Sequence, residues 1–253
     1  KVVVIPSAVD VETFRPVPRD EARRALGLPT HELIVVYVGR MVARKDVRNV
    51  VRAVALLTRQ ADRVCPSLPP VHLLLVGGET REPDPLATPE IGELQRLAAE
   101  LGIADRVRFA GKQQQDVLRY FYSAGDVAVT TPHYEPFGLT PLEAMACGRP
   151  VIGSSVGGIT YTIADGETGF LVPPRDPEAL AACLQRLLTR PELRACMGRA
   201  ARVRVERDFT WPTVATRTAA LYQTLLESRQ YAVGSRQKGG SLPTAYRLLR
   251  TER

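Results

Sequence analysis

The stretch DVAVTTPHYEPFGLTPLEAMACGRPVIGSSVGG, Asp126 to Gly158, decides the fold. It opens on an apolar run of strand length, Asp126–Thr130. A loop carrying His133, Tyr134 and Glu135 follows, then a helical segment, Thr140–Cys147, and a second apolar run, Pro150–Gly153. Two short valine- and isoleucine-bearing runs joined through a helix make a crossover between parallel strands. Glu135 and Glu143 flank Phe-Gly-Leu-Thr-Pro within that crossover.

The same alternation extends in both directions. Further strands are expected at Val2–Ile5, Leu33–Val38, Val71–Val76, Val107–Ala110 and Gly169–Val172. Further helices are expected at Arg19–Leu26, Val47–Arg59, Pro89–Leu101, Gln115–Ser123, Pro177–Thr189, Pro191–Phe209 and Pro212–Ser228. Several carry proline at the first helical position, where its missing N–H costs nothing. The strands are nearly continuous apolar runs, as strands covered on both faces are. The fold class is therefore α/β, a parallel sheet with helices on both faces. Such sheets bind ligands at the carboxyl ends of their strands. Gly39-Arg40, Gly77-Gly78, His133-Tyr134-Glu135 and Gly157-Gly158 each follow a strand, so four loops should share one rim.

Composition narrows the function classes. Apolar residues make up 45% of the 253 and charged residues 24%, the proportions of a soluble globular chain. The longest apolar runs, such as Leu33–Val38, fall far short of the ~20 residues that cross a bilayer. There is no leader pattern, and a strand-like segment directly after Lys1 suggests a chain that begins inside a longer protein. Cys65, Cys147, Cys183 and Cys196 lack C-x-x-C spacing and read as buried reduced thiols of a cytoplasmic protein. His31, His72 and His133 are scattered, so no metal set is expected. Net charge is +7, but residues 229–253 supply five of those charges from six cations against Glu252. The basic balance describes that segment, which reads as a flexible tail behind a 1–228 domain, and no nucleic-acid partner is expected.

The polar loops then suggest chemistry. Arg40 and Lys45 lie just beyond a strand, with Gly39 at its end. A guanidinium fork and an ammonium suit a diphosphate, although the spacing serves equally for a solvated basic loop. Phe137-Gly138-Leu139 precedes a helix whose free amides attract anions, and Gly157-Gly158 could act likewise before Ile159. Thr140-Pro141-Leu142-Glu143 reads as a capping box, with threonine at the cap and glutamate at the third helical position. Glu135 has no such local task; it is equally a surface residue or an acceptor for sugar hydroxyls.

Taken in order, these segments resemble the carboxyl-terminal, donor-binding domain of retaining GT-B glycosyltransferases of family 4, the group that includes sucrose-phosphate synthase. The E-x7-E pattern is EPFGLTPLE, Glu135 to Glu143. IPSAVDVETFRP, VGRMVARKD, ACGRPVIGSSVGGI and DGETGFLVPPRDPEALA complete the series over roughly residues 1–228, with Asp46 where that family commonly has glycine. The resemblance implies one half of a GT-B fold, a Rossmann-like sheet. It implies that Arg40 and Lys45 hold the donor diphosphate, with Glu135 at the sugar, as the catalytic set. It further implies donor contacts from Gly39, Lys112, Phe137, Gly138, Leu139, Thr140 and Glu143, the last at the ribose hydroxyls. Lys112 replaces an apolar residue where the base is read. The implied activity is transfer of a hexose from a nucleotide diphosphate, UDP-glucose foremost and GDP- or ADP-hexose next, to an acceptor hydroxyl, with no metal and no other cofactor. An amino-terminal acceptor domain is the implied partner, and the chain alone should be poorly active. The competing readings are a nucleotide-sugar-binding module without activity of its own and a GT-B UDP-sugar epimerase. The helix around Trp211, Val214, Leu221, Tyr222 and Leu225 should leave an apolar face partly exposed toward the missing half.

Overall fold

The computed structural model describes residues 2–64 and 68–238. Six parallel strands form one sheet in the order β3-β2-β1-β4-β5-β6. They are β1 (Leu33–Val38), β2 (Val71–Val76), β3 (Val107–Phe109), β4 (Val127–Thr130), β5 (Val151–Ser154) and β6 (Gly169–Val172). The connecting helices are α1 (Arg19–Ala25), α2 (Val47–Val64), α3 (Pro89–Glu100), α4 (Gln115–Ala124), α5 (Leu139–Ala146), α6 (Ile159–Thr162), α7 (Pro177–Leu188), α8 (Pro191–Asp208) and α9 (Trp211–Lys238).

Alternation along β1 explains the layers. Leu33, Val35 and Tyr37 pack with Val50 and Val54 of α2, Leu94 of α3 and Leu184 of α7. Ile34, Val36 and Val38 face the other way, with Tyr122 of α4, Leu142 of α5 and Val205 of α8. Side chains of successive strand residues point to opposite faces, so an all-apolar strand needs cover on both. All six residues of β1 are buried. Each fully buried aliphatic side chain stabilises the fold by about 1.5–3 kcal/mol.

The strand order reverses between β1 and β4, which share only two residue pairs, Val35–Val127 and Val36–Ala128. Asp126 compensates for that short ladder. Its amide donates to the Ile34 carbonyl (2.7 Å), and its carboxylate accepts from the Ile34 amide (2.8 Å) and the Arg23 guanidinium (2.7 Å). Arg19 of α1 reaches the other carboxylate oxygen at 3.2 Å. Arg23 is fully buried and also donates to the carbonyls of Ala124, Pro29, Thr30 and Glu32.

Several expectations need correction. Val2–Ile5 forms no strand; Val2 and Val4 are 89% and 79% exposed, because an apolar run becomes a strand only when a neighbouring strand pairs with it. The last helix continues ten residues past 228, to Lys238, and the flexible-tail reading of 239–253 lies outside the described residues. Of the cysteines, Cys147 is buried but Cys183 is half-buried and Cys196 exposed, and all three are free. Cys65 lies outside the described residues. No described helix is long and apolar enough to cross a membrane.

Removing the Asp126 carboxylate would leave the buried Arg23 charge unpaired. Asp126→Ala should lower the unfolding free energy by about 3–5 kcal/mol, read from urea denaturation at pH 7.

Candidate donor site

The site lies above the carboxyl ends of β1 and β4, at the reversal of strand order, where open α/β sheets place their ligands. The loop after β1 carries Gly39, Arg40, Lys45 and Asp46; the loop after β4 carries His133, Glu135, Phe137 and Gly138. They are joined directly. The His133 amide donates to the Arg44 carbonyl (2.9 Å), and the Thr131 hydroxyl donates to the Asp46 carbonyl (3.1 Å). Lys45 Nζ donates to Glu135 Oε2 at 2.5 Å, with the two side chains only 12% and 17% exposed. Thus Lys45 and Glu135, ninety residues apart, form one ion pair at the rim.

Arg40 is exposed, and its guanidinium makes no hydrogen bond or ion pair among the described residues. Its carbonyl accepts from the buried Tyr37 hydroxyl (3.1 Å), which fixes the turn out of β1. Gly39 donates its amide to the Val76 carbonyl (3.0 Å), continuing the β1–β2 ladder. Lys112 is exposed, and its amide donates to the Thr80 carbonyl (2.7 Å). The neighbouring Gly111 carbonyl accepts from Gly77 (2.8 Å), so the loop after β3 joins the same rim.

Helix α5 begins one residue earlier than its sequence suggests. Gly138 is the cap, with φ +97°, a left-handed conformation that glycine adopts without strain. Thr140 and Pro141 are therefore the second and third helical residues, and no side chain caps the helix. The capping-box reading is overturned: the Glu143 carboxylate accepts from the Tyr122 hydroxyl (2.7 Å) instead of folding back to the helix start. The amides of Gly138, Leu139 and Thr140 have no hydrogen-bond partner among the described residues, which leaves an anion-seeking helix start open at the rim. Leu139 is 46% exposed there. Phe137 turns its ring inward, edge-on to Phe209 at 6.3 Å, so only its backbone can serve the site.

Gly157-Gly158 has a packing task. The Gly158 amide is already used, donating to the Glu135 carbonyl (2.9 Å). A Cβ on Gly158 would lie 2.3 Å from Phe137 Cα. The glycine pair is the bed against which the Glu135–Phe137 loop rests.

Glu143 is mostly buried, and burial pushes its carboxyl up from 4.5 to about 7, while the Tyr122 hydroxyl bond pulls the other way. Burial likewise raises the Tyr122 phenol and carries the nearby Cys147 thiol up to about 12. A carboxyl poised near neutrality, bonded on one side by a phenol, has acceptor capacity left for ligand hydroxyls. Sequence reasoning missed Tyr122, which sits on a different helix 21 residues upstream with no spacing signal to connect it to Glu143.

Comparison with known proteins identifies the family. The family described as glycosyl transferases group 1 matches residues 18–204. The chain belongs to that family, and its sheet and helices are those of the carboxyl-terminal half of a GT-B fold. It is 40% identical over 236 residues to the D-inositol 3-phosphate glycosyltransferase of Streptomyces avermitilis, covering 93% of this chain and 49% of that protein. Sucrose-phosphate synthase from Thermosynechococcus elongatus superposes with a TM-score of 0.76 at 39% identity, over 89% of this chain and 53% of that one. Anabaena HepE, solved in complex with UDP-glucose, superposes with a TM-score of 0.71 at 25% identity, over 86% and 56%. The chain thus spans about half the length of the relatives it matches.

The raised Glu143 carboxyl has a measurable cost. Below pH 4.5 it is protonated in both folded and unfolded chains and has no effect. Between pH 4.5 and 7 the unfolded state ionises first, so stability falls, and above pH 7 the loss is complete. Glutamine keeps an acceptor for Tyr122 without the charge. Glu143→Gln should match the wild type near pH 4.5 and exceed it by about 3 kcal/mol at pH 8, measured by urea denaturation at both values.

Proposed function

We propose that this chain is the donor-binding half of a retaining hexosyltransferase of family 4 type. On this reading it holds a nucleotide-diphosphate hexose, UDP-glucose foremost, for transfer to an acceptor hydroxyl presented by another domain. The observation that carries the proposal is the meeting of Lys45, Glu135 and the open amides of α5 at one strand-end rim.

Each group has a task in this reading. The amides of Gly138, Leu139 and Thr140 receive the diphosphate. Lys45, released from Glu135 as the donor enters, and Arg40, already unpaired, add fixed positive charge. Negative charge grows on the diphosphate as the glycosidic bond breaks, so cations fixed there favour the transition state. Glu135, freed by the same exchange, turns to the sugar hydroxyls, and Glu143 grips the ribose. Two side-chain cations and a helix start supply the charge, so no metal is required. The exposed apolar residues of α9, Trp211, Tyr222, Leu225 and Leu226, support a second domain packing against this one. The half-length match to relatives favours a companion reading, in which this chain binds donor without turning it over alone.

Calorimetric titration with UDP, GDP and ADP tests the proposal. UDP should bind most tightly and unchanged by EDTA. Lys45→Ala and Glu143→Ala should each lose at least about tenfold in affinity, since a charged hydrogen bond contributes about 1.5–3 kcal/mol. A folded wild type that ignores all three nucleotides would refute the donor-site assignment for this chain.

A further inference from the structure

Two non-glycine residues have left-handed backbone among the described residues: Asp46 (φ +49°) and Arg175 (φ +61°). They lie 129 positions apart, in the loops after β1 and β6, yet both side chains meet the same residue, His133 of the loop after β4. Asp46 Oδ2 is 3.0 Å from His133 Nε2. Arg175 Nε and Nη2 are 3.3 Å and 3.4 Å from His133 Nε2 and Nδ1.

Asp46 Oδ2 is cut off from solvent, and the imidazole of His133 lies directly beside it. Arg175 presents two guanidinium nitrogens to the same ring, a fork that suits arginine. His133 is held between the Asp46 carboxylate and the Arg175 guanidinium.

L-residues adopt left-handed backbone at a cost, and such outliers are kept where surrounding structure over-determines them. Asp46 adjoins Lys45, and His133 stands two residues before Glu135. We propose that Asp46 and Arg175 are positioning residues of the donor site: they clamp His133 and so hold the 131–138 loop, with Glu135, against the loop that carries Lys45. This role rests on the donor-site reading above. It also gives a use to the one position in VGRMVARKD that departs from the resembling family's glycine.

Glycine separates this role from a purely local one, because it relaxes the backbone at both positions while deleting the clamp. The full chain would be prepared as wild type, Asp46→Gly, Asp46→Asn, Arg175→Gly and the double glycine variant. If the clamp operates, both glycine variants stay folded, and hydrogen exchange at the His133 amide speeds up about tenfold while Val129 is unchanged. UDP affinity falls by a similar factor, the double variant is no weaker than the worse single, and Asp46→Asn, which keeps a polar side chain of the same shape beside His133, restores most of it. Unchanged His133 exchange in both glycine variants would overturn the clamp. Faster exchange with unchanged UDP affinity would overturn its bearing on the site. A wild type that fails to bind UDP would strike the donor-site reading, and the exchange measurements would still judge the clamp.

Discussion

The Asp126 carboxylate is the constraint on which the rest of the structure depends. The sheet reverses its order between β1 and β4, and the ladder there is only two residue pairs long. Asp126 closes a backbone-like ring with Ile34 and anchors Arg23 and Arg19 of α1 to the start of β4. Gly125 just before it packs where a Cβ would lie 2.6 Å from Val36, so β4 starts flush against β1. Parallel strands that start in register end in register. The knot at the amino edge therefore sets where the two loops emerge at the carboxyl edge, and that is where Lys45 meets Glu135.

The rim is built from backbone approaches as much as from side chains. Gly157 and Gly158 let the Glu135–Phe137 loop lie directly on the loop after β5, and Gly138 turns α5 so that its first amides remain open. Phe137 anchors the loop by turning inward to Phe209. The charged groups are then held in partly buried positions, where their interactions are less screened than at an open surface.

Burial also shapes what the site can do when empty. Lys45 and Glu135 neutralise each other, whereas Glu143 has only a phenol and is driven toward protonation. A donor would have to exchange the first pair and favour the ionised form of the second. Arg40, whose guanidinium has no hydrogen bond or ion pair among the described residues, is exposed and suited to meeting an anion first.

Period and composition by themselves determined much of this protein. Every internal strand is marked by apolar patterning, since a strand buried on both faces must be continuously apolar, and α2, α3, α4 and α7 carry the apolar stripe that a helix on a sheet needs. The placing of Arg40, Lys45 and Glu135 in loops at strand ends, and of Glu143 in the helix that follows, came from the same pattern. The tertiary structure alone decided what those residues touch. Val2–Ile5 shows the limit, because its apolar run finds no partner strand. The capping box shows it again: one left-handed glycine moved the helix start, and Tyr122 of another helix claimed the carboxylate. The contacts among Asp46, His133 and Arg175, like the Lys45–Glu135 pair, join residues between 42 and 90 positions apart. No local spacing encodes such contacts; they exist because the sheet order brings the loops after β1, β4 and β6 to one edge.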